Sequence, residues 1–201
     1  DTAKTEHYDV LLTAMVMRLR QLFRDDLLPF LNVQLPMWIA AGDEDKHDWA
    51  RLRLAQARAA SALQPGGLAI LLDCGEFDNI HPTDKRTPGE RLCDVALRVV
   101  YGMDAPESPR ALGKYTQGDT LVVTLSAPVL RRETGELLLE IAGEDGAYHP
   151  VQSVTLDGTE MRLRSVAVLH PTKVRYAYVN WGKVALFGRN GLPLAPFALE
   201  G

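Results

Sequence analysis

Cysteine is scarce. Cys74 and Cys93 are the only two in 201 residues, too few for a disulfide framework, and no CxxC or His/Cys spacing matches a zinc site. Both read as buried free thiols, since Cys packs as a small apolar residue; a single bridge is the alternative. Neither sign of charge dominates. Lys and Arg number 22 against 26 Asp and Glu, leaving −4, so phosphate backbones find no broad attraction and nucleic acid is not an expected partner. Long apolar runs are missing too. Stretches such as Leu68-Ala69-Ile70-Leu71-Leu72 fall far short of the roughly 20 residues of a membrane span. The opening Asp1-Thr2-Ala3-Lys4-Thr5-Glu6 has neither the apolar stretch of a signal peptide nor an initiator Met, so a cleavage or processing boundary is expected there. Serine is also rare. Ser61, Ser108, Ser126, Ser153 and Ser165 are all there are, and none sits in a Gly-x-Ser-x-Gly elbow. What remains is ordinary globular composition, 46% apolar and 24% charged.

The character of the chain changes near its middle. Residues 1–103 alternate helix and strand. Tyr8, Leu11, Leu12, Met15, Leu19 and Leu22 recur at helical spacing, which predicts an amphipathic helix over 4–24. Residues 29–35 read as a short strand ended by Pro36. A second helix is expected from Asp48 to Leu63, stopped by Pro65-Gly66-Gly67. Leu68–Leu72 is apolar without alternation, as in a parallel strand covered on both faces. Thr87-Pro88-Gly89-Glu90 fits a capping box opening a third helix that runs to Gly102. This is part of a parallel α/β domain, and two strands alone leave edges that need neighbours. Pro106, Pro109 and Gly113 mark a junction. Residues 104–201 then carry Val-, Leu-, Thr- and Tyr-rich segments at 119–126, 136–142, 151–156, 160–166 and 173–179, with Asp157-Gly158 as a hairpin turn. An antiparallel sheet or sandwich domain is expected there.

Chemistry concentrates after the apolar strand, in Asp73-Cys74-Gly75-Glu76-Phe77-Asp78-Asn79-Ile80-His81-Pro82. Ligands of open parallel sheets bind beyond the carboxyl ends of the strands, and this loop leaves such an end. Asp78 lies three residues before His81. A carboxylate that near can accept the Nδ1–H of an imidazole and leave the other nitrogen as a general base. The alternative is a loop Asp capping a turn beside a surface His. His7 and His47 are expected to face solvent, and His149 and His170, each before a Pro, read as turn residues. No metal and no cofactor are expected. Cys74 as a nucleophile is the lesser alternative to a packing role. Gln34, leaving the first strand, is either a polar contact for a sugar or a satisfied strand-end amide.

The block Asp78-Asn79-Ile80-His81-Pro82, with Lys85 and Gly89-Glu90-Arg91-Leu92, resembles the last catalytic block of the sialate O-acetylesterase family of SGNH-type carbohydrate acetylesterases. Residues 8–22, Leu28-Pro29-Phe30, Val33-Gln34-Leu35, Trp49 and Arg53-Leu54-Ala55-Gln56 follow the family's order. So do Val174-Arg175-Tyr176-Ala177-Tyr178 and Gly191-Leu192-Pro193 with Pro196-Phe197. Ala185-Leu186-Phe187-Gly188 departs from the Asn-Leu-Tyr-Asn usual there. The resemblance implies the C-terminal part of a flavodoxin-like SGNH-hydrolase sheet, followed by an antiparallel β domain. It implies His81 as general base and acid and Asp78 as its orienting carboxylate. Asp1 would be the last residue of a Gly-Glu-Ser-Asp segment at the edge of the substrate site. The nucleophilic serine and oxyanion donors would come from an upstream fragment of the same enzyme, the expected partner, and the substrate would be an O-acetylated carbohydrate. Export or a lysosome-like compartment is suggested by the resemblance alone. A non-catalytic carbohydrate-binding or structural module is the competing expectation, with Trp181 as the stacking side chain.

Overall fold

A computed structural model describes residues 2–200, with side chains from residue 5; Asp1, the expected edge of the substrate site, lies outside them. The chain divides into two compact units, one ending at Glu107 and the other starting at Ser108, against the 103/104 boundary expected from the sequence. It is a mixed α/β chain with one small parallel sheet and several antiparallel ones. Among the described residues no helix is long and apolar enough to cross a membrane.

In the first unit a 3-10 segment (Thr2–His7) leads into α1 (Tyr8–Phe23), β1 (Phe30–Val33), α2 (Asp48–Ala62), β2 (Gly66–Ala69) and α3 (Arg86–Val99). β1 and β2 pair in parallel, Phe30 opposite Gly66 and Val33 opposite Ala69. α1 packs on α2 through Val16, Ala59 and Leu63, with Leu12 and Phe30 against them. The apolar spacing is met only in part: Leu12 packs against this cluster and Tyr8 and Leu19 are half-buried. Val16 and Arg20 are buried, whereas Leu11, Met15 and Leu22 remain 59%, 49% and 61% exposed. Arg20 is buried because its guanidinium has work to do. Nη2 donates to the carbonyls of Leu63 and Pro65 at 3.2 and 3.1 Å and Nε to Leu28 at 3.0 Å. One side chain thus ties the end of α2 to the entry of both strands, satisfying carbonyls that a helix end leaves open.

Two local expectations are corrected here. Gly66 and Gly67 do not stop a helix in a turn; they lie inside β2, which starts and ends earlier than Leu68–Leu72. A Cβ at Gly67 would stand 2.3 Å from Val95 Cγ1, so only glycine lets α3 lie this close to the strand. The capping box does not form either. α3 opens one residue ahead of Thr87, and Asp84 Oδ1 accepts from the amides of Arg86 and Thr87 at 2.9 and 3.1 Å. Glu90, one turn in, binds Arg86 Nε at 2.6 Å instead. A carboxylate is a stronger acceptor for these open amides than a hydroxyl.

The second unit holds β3 (Ala111–Gln117), β4 (Thr120–Leu125), β5 (Val129–Arg131), β6 (Leu139–Ala142), β7 (His149–Pro150), β8 (Ser153–Asp157), β9 (Glu160–Arg164), β10 (Lys173–Tyr176), β11 (Leu186–Gly188) and β12 (Phe197–Leu199). They form the sheets β3-β4-β9-β8, β12-β10-β6-β7 and β11-β5, each paired antiparallel. β8 and β9 are the expected hairpin, Asp157 paired with Glu160 across Gly158 at φ 57°. Gly113 is no junction residue but part of β3, at a shift of register against β4. Arg175 donates to Glu140 at 2.7 Å and lies between the rings of Tyr148 and Tyr178, its carbon 4.1 and 4.5 Å from their centroids.

Candidate active site

The carboxyl ends of β1 and β2 are built by two loops that interlock. Beyond β1, Gln34 continues the ladder by donating to Ala69 at 2.9 Å. The backbone groups of Val33 and Leu35, which turn away from β2, are taken by one side chain of α2. Gln56 Oε1 accepts from Leu35 N at 2.8 Å, and its Nε2 donates to Val33 O at 3.2 Å. Trp49 Nε1 donates to Pro36 O at 2.6 Å and its ring lies 5.2 Å from that of Trp38. The segment 36–41 is therefore fixed from the α2 side.

Beyond β2 the chain turns at Cys74, whose amide donates to Leu71 at 3.0 Å. Arg91 of α3 holds that turn. Its Nη1 donates to Ile70 O at 2.7 Å and Asp73 Oδ1 at 2.6 Å, and Nη2 to Asp73 Oδ2 at 2.8 Å, a two-point carboxylate grip. Gly75 then runs flat against the first loop. A Cβ there would sit 1.9 Å from Met37 O, so a side chain at this position would force the two loops apart.

Asp78 ties the loops together. It adopts a left-handed φ of 58°, unusual outside glycine but tolerated by Asp. Its amide donates to Ile39 O at 3.1 Å and its Oδ1 accepts from Ala41 N at 2.8 Å. His81 follows, exposed on the loop rim beside exposed Phe77 and Ile80. Its amide donates to Asn79 Oδ1 at 3.0 Å. Among the described residues the Asp78 carboxylate and the His81 imidazole make no hydrogen bond and no ion pair with each other. The loop brings the two residues to one rim, with Asp78 Oδ1 spent on Ala41. Another histidine, His47, does lie beside a carboxylate, its Nδ1 3.2 Å from Asp45 Oδ1.

The remaining site expectations fall as follows. Gln34 is fully buried and its Nε2 donates to the carbonyl of Arg53 at 3.2 Å, so in this chain it presents no surface to a ligand. The two thiols are free; Cys74 is buried as expected, but Cys93, on the outer face of α3, is exposed. Burial, with the Asp73 charge adding to it, pushes the Cys74 thiol up to about 12, which removes the thiolate a cysteine nucleophile needs. Among the described residues no group of three or more His, Cys, Asp and Glu is arranged to hold a metal ion.

Sequence reading missed Glu76, the most connected side chain of the loop. Its Oε1 accepts from the amide and the hydroxyl of Thr83 at 2.6 and 2.5 Å, and its Oε2 accepts from Asn79 Nδ2 at 2.6 Å. These bonds, led by the Thr83 hydroxyl, hold its carboxyl below the ordinary 4.5. The available signal was an acid at the head of a loop rich in Asp, Asn, Thr and Pro, the composition of side-chain-stapled turns.

No family model matches this chain, and no curated protein does. Among solved structures it is similar to the crystal structure of a novel carbohydrate acetylesterase from Xanthomonas citri, with 33% sequence identity, a TM-score of 0.87 and 96% of this chain covered. The chain spans about half the length of that protein, 46%.

Proposed function

We propose that this chain is the acid–base half of a carbohydrate O-acetylesterase, of the SGNH type that the sialate O-acetylesterase resemblance implies. The observation that carries it is the likeness, over nearly the whole chain, to a structure described as a carbohydrate acetylesterase. His81 exposed at the carboxyl ends of two parallel strands supports it, because that is where open α/β sheets bind ligands.

In this reading a serine on an upstream segment attacks the acetyl carbonyl. His81 takes the hydroxyl proton as the Oγ–C bond forms, and returns it to the sugar oxygen as the C–O bond breaks. Water then repeats the cycle on the acetyl-serine, releasing acetate and restoring the hydroxyl. Asp78 orients the imidazole and stabilises its cation. Here its Oδ1 accepts from Ala41 N, so in this reading the carboxylate would leave that bond for His81 when the site is completed; catalytic hydrogen bonds are often long before substrate binds. The upstream segment would also cover the apolar face of α1 at Leu11, Met15 and Leu22, and add strands to the half-buried β1.

The test is acetate release from an O-acetylated sugar by the full-length protein. Its His81→Ala variant should lose on the order of 10³-fold or more in kcat, as loss of a triad member does, with the fold intact by circular dichroism. Full turnover by that variant would remove the assignment.

A further inference from the structure

Glu76, Asn79, His81 and Thr83 form one chain of hydrogen bonds. Thr83 donates twice to one carboxylate oxygen of Glu76, Asn79 donates to the other, and the carbonyl oxygen of the Asn79 amide accepts from the backbone N–H of His81 at 3.0 Å. Glu76 and Asn79 also form an isolated antiparallel bridge. The loop 76–83 is therefore closed on itself by a single carboxylate. The neighbouring Asp78 fastens the same loop outward to Ile39 and Ala41. Nothing in the acyl transfer described above needs Glu76 to touch substrate, yet its side chain is bonded to residues on both sides of His81, Asn79 and Thr83.

We propose that Glu76 is the positioning residue of the catalytic loop: through Asn79 on one side and Thr83 on the other, it fixes where the His81 backbone, and hence the imidazole, stands relative to the reacting ester. This rests on His81 being the general base. The charge matters as well as the shape. Glu76 accepts three hydrogen bonds and donates none, so Asn79 must present its NH₂ to it and is left with its carbonyl oxygen for the His81 amide. A neutral amide at position 76 would face the Asn79 NH₂ with a donor of its own. If Asn79 flips to relieve that clash, it turns a donor toward the His81 N–H.

The experiment follows that donor–acceptor logic, using the full-length protein and hydrolysis of 4-nitrophenyl acetate. Glu76→Gln is expected to lower kcat on the order of 10²-fold, the effect of misplacing a reacting group by about 1 Å, with KM unchanged because ground-state binding is not touched. Adding Asn79→Asp restores the pattern: the amide at 76 donates to the new carboxylate at 79, whose other oxygen accepts the His81 amide. The double substitution keeps the net charge and should recover most of kcat. Should Glu76→Gln fail to fold, Asn79→Ala carries the same expectation, since it removes both bonds that connect Glu76 to His81 and leaves the two Thr83 bonds in place. Loss of rate with His81→Ala but wild-type kcat with Glu76→Gln would overturn the positioning role and leave the proposed function standing. A double variant as slow as the single one would also overturn it. Turnover untouched by His81→Ala would overturn the function and the role together.

Discussion

In the second unit Leu121, Val122 and Val123 of β4 and Met161 and Leu163 of β9 are all 0% exposed, while in the first unit all four residues of β1 are only half-buried and α1 turns Leu11, Met15, Leu22 and Phe23 to solvent. The contrast follows from neighbours. β4 has a strand on either side, and its sheet belongs to a unit with three sheets to pack. β1 has one partner and β2 has one, so the parallel pair leaves edges that the same unit does not cover. The unit with the unfinished sheet is also the one that carries the candidate active site. Under the proposed function, the upstream segment would cover those edges and the exposed face of α1.

The sharpest way to test this contrast is to truncate a leucine on each side of it. Leu163→Ala should cost about 2–5 kcal/mol, the range for deleting a fully buried leucine, read as a lower denaturant midpoint for this chain. Leu11→Ala should change the stability of this chain by less than about 0.5 kcal/mol, as surface substitutions do. In the full-length protein the same Leu11→Ala should cost like a core truncation. A cost that stays small there would break the link between the exposed α1 face and the upstream segment.

A smaller effect sharpens the description of the first unit itself. At pH 8 a thiol reagent such as iodoacetamide should modify exposed Cys93 in the native chain. Cys74, buried and pushed up to about 12, stays protonated at that pH because its raised value lies far above it, and should react only after unfolding. Mass mapping of the modified chain reads both. Rapid native labelling of Cys74 would contradict the packing role given to it.

How much of this was legible in the sequence differs between the units for the same physical reason. The Asp157-Gly158 hairpin was readable because a turn and its two strands are local. So was α2, whose apolar spacing matches the face it buries. The three-residue strands β5, β11 and β12 were not, since so short a run carries no alternation to detect. α1 was legible in part: of its apolar spacing Tyr8, Leu12 and Leu19 turn inward beside buried Val16 and Arg20, while Leu11, Met15 and Leu22 stay exposed. At the site, the Asp78 to His81 spacing was visible, but the bond that Asp78 makes instead, to Ala41 N, was not. It depends on Gly75 lying against Met37, a contact between loops far apart in sequence. Glu76 was overlooked because a carboxylate that only accepts hydrogen bonds within its own loop matches no catalytic spacing.

The central claim, that this chain supplies the base and another segment the nucleophile, is tested most directly by trapping the nucleophile. Full-length protein treated with diethyl 4-nitrophenyl phosphate and mapped by mass spectrometry should carry the diethylphosphoryl group on one serine upstream of this chain. His81→Ala should slow that labelling by about 10²–10⁴-fold, the usual contribution of a general base. Label on Cys74 or on any of the five serines from Ser61 to Ser165, or a labelling rate indifferent to His81→Ala, would contradict the account.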